Sequence, residues 1–294
     1  MGWIPGCCRA LLLAVLVGAA ATAHADSARH TFWAVKGQYN TVYLLGSVHV
    51  LKAGDHQLPP EALRAYAGAG ALVMELDLND ESAEGLGGGS FDGMLLPDGQ
   101  TLSAALGPAA YATLQSHLKP LGLDAEQFSQ MQPWFVAMSV EQLELARLGF
   151  DPESGVEMQF TRRAQADHKP VIALETAAEQ LRIFANLSPE QQRHFLLYCL
   201  DDAEDSGKQM DSIVTAWQHG DTAQLERLLG EGFAKFPELF RLLTTDRNRR
   251  WLPRIESMLH DRQDYLVIVG ALHLVGSDGL VALLGGDGYK VVQQ

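Results

Sequence analysis

Cysteine is scarce in this chain, three in 294 residues, and two of them, Cys7 and Cys8, stand side by side near the start. They fall inside a leader made of a short region with Arg9, an apolar run from Ala10 to Ala21 and the small-x-small signal Ala23-His24-Ala25. That run is too short to cross a bilayer, so residues 1–25 read as a secretory signal peptide cleaved near Ala25. The expected mature chain has no transmembrane segment and is periplasmic or secreted. Cys199 is then the one thiol left, in the apolar stretch HFLLYCL, so an exported protein has to be held by its core and not by an intrachain disulfide.

Basic side chains are also few. Lys and Arg number 22 against 36 Asp and Glu, a formal net charge of −14, and loss of the leader removes Arg9 and no acid. Nucleic acid and anionic lipid both need basic patches to replace counterions, so neither is expected as a partner. Missing too are Gly-x-Ser-x-Gly, His-Glu-x-x-His and the phosphate-loop glycine pattern. Their absence removes the usual support for a serine hydrolase, the commonest zinc protease and a nucleotide enzyme.

What is there begins with Thr41–Val50, TVYLLGSVHV, an apolar run of strand length closing on Gly46-x-x-His49. Near the other end, Tyr265–Leu274 reads YLVIVGALHL and closes on Gly270-x-x-His273. In an open α/β sheet, ligands sit outside the carboxyl ends of the strands. Two histidines delivered there from opposite ends of one chain are therefore expected over one site. Glycine three places before each histidine suits a strand end that a ligand or another backbone approaches closely.

The remaining elements fit the same plan. His30–Lys36 and Asn40–Leu45 read as a hairpin about Gly37-Gln38, Ala71–Leu78 as a strand containing Glu75, and PVIALE as a short strand ending on Glu175. Helices are expected from Pro60, from Thr101 to His117, from Pro133 to Leu148, and from Gly155-Val156-Glu157 to Ala166. The glycine- and acid-rich stretch from Asn79 to Gly99 is long enough to be a lid. From Ala177 to Leu259 the pattern is helical throughout, and Tyr265–Val269 and Tyr289–Val292 return to strand. The fold class is α/β: a central mostly parallel or mixed sheet flanked by helices, in a single domain over 26–294 with a helical insert about 177–259 before the last site-bearing strand.

Four of these runs end near a metal-capable side chain: His49, Glu75, Glu175 and His273. Imidazole nitrogen and carboxylate oxygen suit borderline divalent ions, and a catalytic site needs about three protein ligands and an open position. Asp77, one strand period from Glu75, is positioned to replace or support it. Glu175 has a second reading, as an acid at the start of the helix that Thr176 opens. TTDRNRR, from Thr244 to Arg250, reads either as a clamp for a carboxylate or oxyanion through Arg247 and Asn248, or as a solvated face of salt bridges. His56, His117, His168, His194, His219 and His260 are read as surface residues.

In order along the chain, YLLGSVHV, VMELD, QPW, ALETAAEQ, RNRRW and VGALHLVGSDGLVALL resemble the TraB/PrgY/GumN family, which is related to the Tiki proteases and more distantly to erythromycin esterase-like and ChaN-like proteins. The likeness runs from about Val42 to Val292, with departures at Ser47, where threonine is common, and at Ala271. It implies an α/β fold and, for the Tiki branch, a divalent-metal-dependent peptidase. By motif His49 and His273 match the family histidines, Glu75 and Glu175 its glutamates, and Arg247 and Asn248 its Arg-Asn pair. The expectation is an exported hydrolase of a peptide or small-molecule substrate. His49, Glu75 and His273 would hold Mn, Co or Zn, Glu175 would be ligand or general base, and Arg247 with Asn248 would steady the substrate. The rival is a non-catalytic protein that binds metal, haem or a peptide signal on the same scaffold. Nothing in the sequence sets an oligomeric state.

Overall fold

The computed structural model describes residues 30–55, 57–78, 92–201 and 206–294. The leader, His56 and residues 79–91 of the expected lid lie outside them. Six strands form one sheet: β1 (Phe32–Lys36), β2 (Thr41–Ser47), β3 (Ala71–Met74), β4 (Val171–Ala173), β5 (Tyr265–Gly270) and β6 (Val291–Gln293), in the order β4-β3-β5-β2-β1-β6. The four strands β4, β3, β5 and β2 run parallel, and β1 and β6 close the far edge antiparallel. The sheet is thus mixed, and β2 and β5 lie side by side, with Ser47 opposite Gly270. The two Gly-x-x-His turns therefore leave the sheet from adjacent strand ends.

Strand alternation explains why the sheet carries helices on both faces. Along β5, Leu266 and Ile268 join one core, whereas Tyr265, Val267 and Val269 join the other. The first core is closed by α1 (Pro60–Gly68), by α4 (Val156–Asp167) through Phe160, and by α7 (Ser206–Gln218) and α8 (Thr222–Gly232) through Trp217 and Leu225. The second is closed by α10 (Thr245–Met258) through Trp251 and Ile255, and by α11 (Leu280–Gly286). Apart from the sheet, α2 (Leu102–Leu118), α3 (Pro133–Arg147) and α6 (Pro189–Asp201) share a core around Leu106, Val140 and Leu196. Trp134 of α3 meets Phe184 of α5 (Ala177–Ala185) and Leu239 of α9 (Pro237–Leu243) in a fourth cluster.

Some expected boundaries move. The strand read as Ala71–Leu78 ends at Met74, so Glu75 lies just past its carboxyl end and not within it. PVIALE likewise ends its strand at Ala173, two residues before Glu175. The helices expected as an insert divide between the two faces of the sheet and the α2–α3 side, because their apolar stripes complete four different clusters. His117, read as a surface residue, is half-buried beside Glu144, at 3.6 Å. Among the described residues no helix is long and apolar enough to cross a membrane.

Candidate functional site

Glu75 and Glu175 come together because β3 and β4 are parallel neighbours whose pairing continues past both strands, the Glu175 N–H donating to the Glu75 carbonyl at 3.0 Å. Both side chains are buried. The helix-starting role read for Glu175 belongs to its neighbours. Thr176 Oγ1 accepts from the Glu179 N–H at 3.2 Å, and Glu179 accepts from the Thr176 N–H at 2.8 Å, forming a capping box for α5.

What the two carboxylates share is Arg247, delivered by the first turns of α10 and 4% exposed. Its Nε donates to both oxygens of Glu175, at 3.0 and 3.2 Å, and Nη2 donates to Glu175 Oε1 at 2.6 Å and to Glu75 Oε2. Nη1 donates to the Leu243 carbonyl and faces His273 Nε2, each at 3.0 Å. All five N–H groups are thereby engaged within the protein. Of the three expected arginines, Arg249 and Arg250 follow the solvated-face reading, exposed and paired with Asp278 and Glu175 at 3.2 and 3.6 Å.

His273 is 4% exposed and packs at a tilt against Trp251, ring centroids 4.6 Å apart. Asn248 fixes its tautomer. The amide Nδ2 donates to the carbonyls of His273 and Asp278, so Oδ1 faces the ring and accepts from Nδ1–H at 2.7 Å. Nε2 is left with its lone pair toward the cluster. Asn248 thus spends its whole side chain holding His273 and the turn after β5.

His49 stands at the edge of the same site, its side chain 69% exposed. The meeting point of the set is Gly270. Its N–H donates to Glu75 Oε1 at 2.7 Å, and a Cβ built there would lie 3.4 Å from Glu75 Oε1, 3.6 Å from His49 Nε2 and 3.7 Å from His273 Cδ2. Here glycine leaves a hollow that any other side chain would fill. Asp77 lies beyond the shortened strand, and it is Glu75 that reaches this hollow.

The sequence reading missed Glu157. It belongs to the first turn of α4, and its Oε1 accepts from Ser47 Oγ and from His49 Nδ1, the latter at 2.6 Å. An acid in a first helical turn is ordinary, so the residue itself gave no signal. What points to it is Gly155 two places earlier, where an added Cβ would stand 2.1 Å from the His49 carbonyl oxygen.

The cluster sets its own protonation. Burial pushes the Glu75 carboxyl up, but His273, Arg247 and His49, with the Gly270 N–H, outweigh it and bring it down to about 2. Burial pushes His273 down to about 3, against the pull of Glu75, so this imidazole is neutral at pH 7. Glu157 raises His49 to about 9, against the opposing effect of burying its inner edge. The open outer face of that ring lets solvent screen the pair. Burial also raises Glu175, against Arg247. Among the described residues no three His, Cys, Asp or Glu side chains converge as a metal-holding group, since Arg247 lies between the carboxylates and against His273 Nε2.

Fold and site together define an α/β protein that gathers two imidazoles, two carboxylates and a buried guanidinium at the carboxyl ends of adjacent parallel strands. The chain belongs to the TraB/PrgY/gumN family, whose profile matches residues 31–293. It is similar to the uncharacterized protein YbaP of Escherichia coli K12, 26% identical over 242 residues, which is 82% of this chain and 87% of that protein. The same figures hold for the uncharacterized protein YbaP of Shigella flexneri. No solved structure matches.

Proposed function

We propose that the protein is an exported hydrolase, acting on a peptide, whose chemistry takes place at the hollow over Gly270. The observation that carries this reading is that Glu75 Oε1, His49 Nε2 and the His273 ring each border the space a Cβ at Gly270 would take. The donor set is right in kind for a divalent ion such as Mn, Co or Zn, and a hollow that a Cβ would fill lies against all three residues. His49, Glu75 and His273 would hold it, His273 exchanging Arg247 for the ion. When bound, such an ion supplies a Lewis acid and makes water nucleophilic at neutral pH.

The other residues act through position and charge. Asn248 keeps His273 in the tautomer whose Nε2 carries the lone pair, now met by Arg247, and Trp251 covers the ring on the core side. Glu175 would have to release Arg247 to serve as a base, so we assign the pair to holding Glu75. Arg247, with no donor to spare, contributes its charge beside the reacting centre and does not grip the substrate.

One observation favours a second reading. Arg247 already faces His273 Nε2, which leaves His49 as the imidazole whose Nε2 offers an open lone pair once the ring loses its second proton, as pH rises toward 9. His49 would then take the proton from water directly, the imidazolium being stabilised by the carboxylates around it. Stripping the purified protein with chelator and assaying peptide cleavage before and after adding back Mn, Co or Zn separates the two. Recovery on metal addition, lost in His49→Ala, supports the first reading, and undiminished turnover in chelator supports the second. Turnover that persists in His49→Ala under both conditions sinks both. Stoichiometric ligand uptake with no product would mark a binding protein on this scaffold.

A further inference from the structure

We propose that Glu157 is the positioning residue for His49, holding it in the Nδ1–H tautomer with Nε2 turned into the hollow over Gly270. The inference deepens the hydrolytic reading above and applies to both of its forms. An ionised carboxylate only accepts hydrogen bonds, so the 2.6 Å contact between Glu157 Oε1 and His49 Nδ1 requires the proton on Nδ1. In the neutral ring the remaining lone pair is on Nε2, the atom 3.6 Å from where a Gly270 Cβ would stand. His273 is held in the same tautomer by Asn248, although its Nε2 faces Arg247 Nη1 at 3.0 Å and its Cδ2 is the atom nearest the hollow.

An ordinary helix-starting acid does not account for this arrangement. The pair is lopsided: the Glu157 side chain is 15% exposed and its His49 partner 69%. The carboxylate is turned inward onto the end of β2, where Ser47 Oγ also donates to Oε1, while Oε2 is buried without a hydrogen-bond partner among the described residues. Burying a carboxylate oxygen unpaired is costly, so satisfaction of its own hydrogen bonds is not what placed Glu157 here. The backbone around it is built to the same end. The Val156 N–H donates to the Val48 carbonyl at 3.2 Å, Leu51 bridges Asp151, and Gly155 admits the His49 carbonyl where any Cβ would collide. Helix α4 is docked onto the histidine turn itself. Without Glu157, an imidazole this exposed would be free to rotate and to exchange its proton between nitrogens.

The test uses the full chain labelled with 15N-histidine, brought to a pH at which the ring is neutral, with the tautomer read from long-range proton–nitrogen correlations. His49 is expected as the Nδ1–H form in the wild type and as a mixture in Glu157→Ala, with Glu157→Asp between them. In zinc titrations of the same proteins, Glu157→Ala is expected to bind about 10–100-fold more weakly, the usual loss for a group that orients a ligating histidine. Gly155→Ala, which displaces the helix start, should reproduce the tautomer change with residue 157 intact. Thermal melts that stay near wild type separate positioning from loss of fold. An Nε2–H tautomer in the wild type overturns the proposal and needs no variant, as do His49 signals in Glu157→Ala indistinguishable from wild type. A wild type that takes up no zinc, but whose Nδ1–H form is lost in Glu157→Ala, supports the positioning role while removing the metal form of the hydrolytic reading.

Discussion

Arg247 is the residue on which the buried charges depend, because among the described residues it is the one guanidinium placed against both Glu75 and Glu175. Arg247→Ala removes the counter-charge that two buried carboxylates share, leaving Glu175 only the exposed Arg250 at 3.6 Å, and a loss of about 3–5 kcal/mol is expected from the denaturant midpoint. Arg247→Lys keeps the charge but cannot span both carboxylates with a planar fork, so a smaller loss is expected. The shifted groups also set the dependence of stability on pH. His273 and Glu75 bind protons less readily folded than at their ordinary values of 6.5 and 4.5. Their contribution is therefore complete above pH 6.5 and is lost as pH falls toward 3 and then 2. His49 has the opposite sign: raised by Glu157, it contributes below 6.5 and loses this as pH rises toward 9, an effect its exposure damps. Melting temperature should fall on the acid side from pH 6.5, and in His273→Ala only the carboxylate part, below 4.5, should remain. A wild-type melting temperature flat between those two values would show that His273 is not the buried neutral imidazole described. Most of these residues were legible in the sequence because each follows a buried strand. Glu157 was not, since an acid opening a helix reads the same whether it faces water or a histidine.

At the scale of elements, the site depends on helices far away in sequence being locked to the strand ends. Trp217 of α7 donates its Nε1–H to the Gly46 carbonyl at 2.6 Å, and its own carbonyl accepts from Thr31 Oγ1 at 2.9 Å. Trp217→Phe leaves the buried Gly46 carbonyl without that donor, with an expected cost of about 1–3 kcal/mol. The same change should lower turnover by more than a comparable loss in α2, because Gly46 starts the turn that carries His49. If Trp217→Phe melts as wild type does, the lock is not there. Strand alternation and proline at first helical turns made most elements readable. The end of β3 was not, because ALVMELDL alternates on past Met74, where the regular ladder with β4 gives way to the Leu174 and Glu175 N–H groups donating to the Met74 and Glu75 carbonyls. The division of the helices among four clusters was also out of reach, since an amphipathic stripe says that a helix is covered and not by what.

Across the whole molecule, β5 inserts between β2 and β3, so a strand near the C-terminus lies between two from the first third of the chain. That insertion brings the second Gly-x-x-His beside the first, and no local signal announces it; the paired motifs and the apolar runs before them were the readable trace. It also makes the site a product of the complete fold, so histidines more than two hundred positions apart should fail together. The most direct measurement is a titration of the chelator-treated protein with zinc, manganese or cobalt, compared with His49→Ala and His273→Ala. One equivalent taken up by the wild type and lost alike in both variants is the result expected if the two turns share one centre. Uptake that survives intact in either variant would contradict it.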